Sequence, residues 1–300
     1  MVFENHLTDE DMERAAKLEP RPVDLTAAYM SQMNAIEAFW VDIVHKAFHK
    51  NSSMLIRHLA IATLGDRAMG HSRIVPKLNS LVYQQTITSA ERSVIELWLD
   101  IWLIHKDVFA DGPDRLFAFG EHQKLGGAKR TVRFFAEHPE LDETPSAAEP
   151  HRDFLAREGQ RIEATTNSLW GKPSDHWTGM KLHERAKAVS PVAQLRVAHG
   201  YDMRNFATHT GVAGVMNVGP TTTELMFGQS ISNIADCMID ILRIVGAEFE
   251  MSKTVTEYDH IVEYLVNLHS YCFCDIVLQS QGEPQRLFFR SGPWAVRNVK

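Results

Sequence analysis

Apolar residues along this chain recur at three- and four-residue steps, the period of amphipathic α-helices, with no sustained alternation of period two. Thr8 precedes an acidic turn and opens a short helix that ends near Pro20 and Pro22. Asp24 caps the next, whose stripe is Leu25, Tyr29, Ile36, Phe39, Trp40, Ile43, Val44 and Phe48. Ser52 or Ser53 restarts a helix through Leu64. Thr88-Ser-Ala-Glu91 reads as a capping box ahead of Val94, Ile95, Trp98, Ile101, Trp102, Ile104, Val108 and Phe109, and Asp111-Gly-Pro-Asp114 stops that stretch. The spacing predicts one or two short helices over 115–137, broken at Gly126-Gly127, and then a helix over 152–170. Further on it predicts a short amphipathic piece over 181–189 and a helix opened by Ser190-Pro191. Gly211 to Pro220 reads as a glycine-bearing loop. A second capping box, Thr221–Glu224, starts a long helix to about Glu248, and a last helix spans roughly 257–276. The expectation is an all-α helical bundle with an N-terminal helical extension and an irregular C-terminal arm. It divides as 1–137, a Pro- and acid-rich linker at 138–150, 151–276 and an arm at 277–300, probed most simply as one integrated fold.

Composition narrows the function. Apolar residues make up 44% of 300, enough for a full core. A net charge of −7 argues against coating nucleic acid by bulk electrostatics and leaves room only for a local basic cleft. Cys237, Cys272 and Cys274 are odd in number and wrongly spaced for a metal knuckle, so they read as buried apolar residues. The acidic N-terminus lacks the apolar core of a signal peptide, and no stretch of eighteen uncharged apolar residues exists. The expected location is therefore cytoplasmic, with no membrane contact.

The sharpest chemical feature is Tyr201-Asp-Met-Arg-Asn-Phe-Ala-Thr-His209. On a helix Arg204, Asn205 and His209 fall at about 0°, 100° and 140°, within one wedge. Tyr201 lies one turn before Asn205 on the same ridge. A cation, an amide, an imidazole and a phenol on one face suit RNA cleavage without metal. Histidine near neutrality moves the proton of the 2′-hydroxyl or of the leaving oxygen, arginine holds the charged phosphoryl oxygens, and asparagine orients. One histidine leaves the second proton transfer unassigned, and a two-fold dimer would supply the missing groups. The alternative is that Arg204 and His209 are surface or capping residues, His209 standing just before Thr210-Gly211, where a helix end favours a cation.

Arg-Asn-x-x-x-His resembles the R-x(4–6)-H motif of the HEPN superfamily of helical ribonucleases. Arg92-x-x-x-Glu96 on a Trp-rich helix, the loop with Trp170 and Trp177, and Tyr201-x-x-x-Asn205-x-x-x-His209 are together similar to bacterial helical families that group near it. Those more often carry Ser where Asn205 stands. The resemblance implies a homodimer with a composite cleft for an RNA substrate, no cofactor and no metal. It also implies catalysis by Arg204, Asn205 and His209, and a place in toxin–antitoxin or antiphage systems with a regulatory protein partner. Tyr201, Glu96 and Arg92 would bind substrate or support the site. Many members only bind, so a catalytically inactive scaffold is the alternative.

Arg92 and Glu96 read equally as a solvated i,i+4 pair or as a brace for the 201–209 face. Fifteen histidines keep a metal reading open. His45 and His49 are i,i+4, Asp42-x-x-His45 and Glu257-x-x-His260 resemble halves of a di-iron pattern, and Asp236 and Asp240 add an acidic pair. Only one proper Glu-x-x-His occurs, so a metal-dependent oxidase is the lesser alternative. The chain has no P-loop and no G-x-S-x-G. The basic tail (Arg286, Arg290, Arg297, Lys300) reads as a solvated end or an RNA contact.

Overall fold

A computed structural model describes residues 2–5, 9–15, 17–18, 22–50, 55–78, 80–142, 146–171, 174–198, 220–280, 282 and 287–290. The described residues are helical apart from turns and one two-stranded ribbon, as the periodicity predicts. In chain order the helices are α1 (Asp9–Ala15), α2 (Pro22–Phe39), α3 (His45–Lys50), α4 (Ile56–Ser72), α5 (Gln84–His105), α6 (Gly112–Glu137), α7 (Glu149–Trp170), α8 (Leu182–Val189), α9 (Pro191–Arg196), α10 (Pro220–Glu248), α11 (Met251–Thr254) and α12 (Tyr258–Ser280). No helix among the described residues is long and apolar enough to cross a membrane.

Helix α10 forms the axis. Phe227, Ile231, Ile234, Met238, Ile241, Leu242 and Val245 are buried on one face, which Ala235, Cys237, Ile239 and Ile244 widen to more than half of the circumference. So broad an apolar face must be covered from several sides. Helices α2 and α5 flank it, α4 fills the gap beside α5, and α12 closes the side next to α2. Two glycines let aromatic rings reach the axis. A Cβ on Gly65 would lie 2.6 Å from the buried Trp40 ring, whose Nε1–H donates to Asp66 at 3.0 Å. A Cβ on Gly246 would lie 2.7 Å from Tyr258, whose hydroxyl donates to the Leu242 carbonyl at 2.8 Å. A π-turn at Trp40–Val44 joins α2 to α3.

Several boundaries differ from expectation. Helix α5 begins at Gln84, so Thr88 and Glu91 sit inside it and are fully buried rather than forming a cap. Helix α6 is continuous through Gly126-Gly127. Two glycines cost about 1 kcal/mol each against alanine, less than packing along α7 supplies. Helix α4 runs eight residues past Leu64 to Ser72. The 138–150 stretch contains a 3-10 turn at Pro139–Leu141, and the Asp142 carboxylate accepts from the Ala147 amide at 2.8 Å just ahead of α7. Helix α10 already begins at Pro220, and the 211–219 loop lies outside the described residues. The C-terminal arm is not wholly irregular: Leu287–Arg290 pairs antiparallel with Val2–Asn5, Val2 opposite Arg290. Other features hold as expected. Ser190 accepts from the Ala193 amide at 3.0 Å with Pro191 first in α9, and Cys237 is a buried free thiol.

Three helix ends are tied together by one carboxylate. Glu248 accepts from Arg57 Nε and Nη2 at 2.8 and 2.7 Å and meets His105 Nδ1 at 2.6 Å. Burial opposes the Glu248 charge, but the Arg57 and His105 hydrogen bonds outweigh it and hold the carboxyl below its ordinary value. A depressed carboxyl stabilises the fold above the ordinary glutamate value of 4.5, and the contribution disappears as pH falls from there through the depressed value. The urea midpoint of the wild type is therefore expected to drop below pH 4.5, and Glu248→Gln to flatten that part of the profile; parallel profiles in the two proteins would refute the assignment. Gly65→Ala is expected to lose about 1–3 kcal/mol in urea denaturation from overpacking against Trp40, and an unchanged midpoint would contradict the close approach.

Candidate functional site

Opposite its broad apolar face, α10 carries a polar stretch. There Asn233, Asp236 and Asp240 meet polar groups of α5 and α9, with a histidine–glutamine pair of α12 and α2 nearby. Asn233 donates its side-chain N–H to the fully buried Glu91 of α5 at 2.6 Å. Arg196, the last residue of α9, ion-pairs with Asp236, and its Nη1 lies 3.5 Å from Asp240. The Arg196 guanidinium also stands 4.4 Å over the Trp98 ring and reaches the Cys237 sulfur at 3.5 Å. On α12, His269 donates from Nδ1 to the Gln32 side-chain oxygen at 3.0 Å, and Gln32 in turn donates to the Leu265 carbonyl at 3.2 Å. The His269 ring packs against Tyr29 at 5.0 Å.

Burial and charge pull these groups apart electrostatically. Burial opposes the charge on Arg196, but Cys237, Asp236 and Asp240 outweigh it and raise the guanidinium above its ordinary range. Burial raises the Asp240 carboxyl, with Arg196 working against it. The fully buried Cys237 thiol is pushed up to about 12, first by burial, so it is inert as a nucleophile near neutrality. His269 is lowered, first by burial and then by Arg196, against the pull of Asp236. With Nδ1–H given to Gln32, the neutral ring keeps a lone pair on Nε2. The cluster thus holds one proton-accepting imidazole, a carboxylate with 40% of its side chain exposed (Asp236), and a clamped guanidinium. Buried polar groups are costly unless paired, and here each carries a partner on another helix.

Arg204, Asn205, His209 and Tyr201 lie outside the described residues. Their approach is described: Val197 is buried and Arg196 is fixed in the cluster, eight residues before Arg204. Arg92 and Glu96 do not pair with each other in any described contact. Glu96 instead meets Arg185 of α8 at 3.4 Å, on the face of α5 that opens to a large cleft. Arg92 is half-buried and makes contacts of its own.

The groups considered for metal binding serve elsewhere. His45 lies 4.0 Å from Asp66, Asp236 and Asp240 hold Arg196, and His260 is exposed. The His49 side chain is outside the described residues. Among the described residues no three His, Cys, Asp or Glu groups converge to hold a metal ion.

Sequence reading missed Arg196, Glu91, Asn233, His269 and Gln32. Glu91 was absorbed into an apparent cap, and His269 lies in a helix for which no candidate chemistry was singled out. The available signal was Asp236 and Asp240, two acids one turn apart on a predominantly apolar helix. Comparison of the chain with protein-family models, curated proteins and solved structures returns no match. Arg196→Met is expected to cost about 3 kcal/mol in chemical denaturation, because it strands two partly buried carboxylates. Adding Asp236→Asn and Asp240→Asn is expected to recover part of that loss, and strict additivity of the three changes would refute the clamp.

Proposed function

We propose that this chain is a metal-independent endoribonuclease of HEPN type that acts as a homodimer. In this reading His209 is the general acid/base, Arg204 clamps the phosphodiester, Asn205 orients the imidazole or a phosphate oxygen, and Tyr201 adds a polar contact. The 2′-oxygen loses its proton and attacks phosphorus, the bond to the 5′-oxygen breaks, and that oxygen takes a proton. The products are a cyclic phosphate and a free 5′-hydroxyl. A second copy of the segment supplies the second proton-transfer group. The superfamily resemblance places such an activity in toxin–antitoxin or antiphage defence under a regulatory protein partner.

One observation carries the reading. The chain runs toward 201–209 from an arginine fixed by two aspartates and a tryptophan face, beside the only described polar stretch of the axis helix. Such an anchor just ahead of the motif supports the reading, because position governs phosphoryl-transfer rates strongly. A second reading, a catalytically inactive helical binding protein, is favoured by the sign of that stretch: Glu91, Asp236 and Asp240 repel a phosphodiester.

The test is incubation with mixed RNA in EDTA. The wild type is expected to cleave, and Arg204→Ala and His209→Ala are each expected to lose at least about a hundredfold in rate. Equal cleavage by all three proteins identifies a contaminant and ends the nuclease reading. Absence of cleavage by a folded, dimeric wild type leaves the binding protein.

A further inference from the structure

A cleft of about 990 Å³ separates α4 and α5 from the hairpin of α6 and α7, with the 174–178 turn as its end wall. It is distinct from the polar stretch of α10, and its walls differ in character. On α4, Arg67 and His71 stand one turn apart on a single ridge. Burial, and then the Arg67 charge, lower His71, which leaves Arg67 as the fixed cation of that ridge. Beside them on α5, Glu96 and Asp100 form an equivalent ridge of carboxylates. Phe117 and Phe119 of α6 supply aromatic surface on the opposite wall, backed by the buried Trp177.

The acidic wall is braced from behind. The buried Arg185 donates from Nη1 to Asp100 at 3.0 Å and faces Glu96 from Nη2 at 3.4 Å. His176, whose Nε2 lies 2.8 Å from Arg185 Nη1 and 3.3 Å from Asp100, packs against Phe119 at 6.1 Å and Trp177 at 5.8 Å. A buried ion pair seldom stabilises a fold more than apolar side chains of the same volume would. Here it fixes two carboxylates along a cavity wall. The Glu96 side chain keeps 38% of its surface exposed on that wall. A cation above an aromatic face and beside a carboxylate, with an anion held by the neighbouring arginine, is the occupant such walls select.

We propose that this cleft binds a small aromatic zwitterion. Its ammonium group lies along Glu96 and Asp100, its ring against Phe117 and Phe119, and its carboxylate toward Arg67. The proposal is independent of the ribonuclease reading, since no residue of the 201–209 segment takes part.

Isothermal titration calorimetry on the full chain tests it with three probes that share one ring: L-phenylalanine, phenethylamine and phenylacetate. L-Phenylalanine is expected to bind at least about tenfold more tightly than either single-charge analogue. Glu96→Gln is expected to weaken L-phenylalanine and phenethylamine about tenfold and leave phenylacetate unchanged, while Arg67→Gln weakens L-phenylalanine and phenylacetate and spares phenethylamine. Should Glu96→Gln fail to fold, judged by its melting temperature, the three-probe ranking on the wild type and the response of Arg67→Gln decide the proposal. Absence of binding by L-phenylalanine up to about 10 mM, equal affinity for phenethylamine, or indifference of both variants overturns the proposal.

Discussion

The architecture depends on a single demand, that the broad apolar face of α10 be covered. Apolar area leaving water stabilises at about 25 cal/mol per Å², and the axis helix offers that area around more than half of its circumference. Helices α2, α5, α4 and α12 all pack against it. The demand also fixes Gly65 and Gly246, because only a missing Cβ lets Trp40 and Tyr258 reach the axis. Against that background the polar stretch at Asn233, Asp236 and Asp240 is an exception the fold must satisfy group by group, and it does so with Glu91 of α5 and Arg196 of α9.

Periodicity made the helical class legible because a 3.6-residue pattern survives whatever the helix packs against. Ser190-Pro191 was legible for a related reason: a serine oxygen caps a nearby amide and a proline begins a helix using local geometry alone. Thr88–Glu91 has the same local grammar and misled, because the apolar positions Ile87 and Ala90 extend the buried face of α5 backward and draw the helix start to Gln84. Gly126-Gly127 misled in the opposite sense, since α7 lies alongside and holds α6 through them.

The site was less legible than the fold. The Tyr201–His209 motif is a run of neighbours and stands out in one dimension, whereas the polar stretch assembles residues from 32 to 269. Nothing local distinguishes Gln32 or Asn233 from solvent-facing residues on an amphipathic helix. Arg196 illustrates the difficulty: in sequence it is an ordinary cation near the end of a short helix, while in space its guanidinium lies over Trp98 and between two aspartates.

The α6–α7 hairpin has a mechanical consequence. Leu116, Phe117 and Phe119 fasten α6 to the body, whereas beyond Ala128 it touches mainly α7, through contacts such as Lys129 with Glu163. At twenty-six residues α6 is about 39 Å long, so it is a stiff arm hinged near its root. A tilt of ~10° about Phe119 would move the far end at Glu137, near the exposed Phe134, by roughly 5 Å. Whatever fills or empties the space at the root is therefore broadcast, magnified, to a surface remote from it.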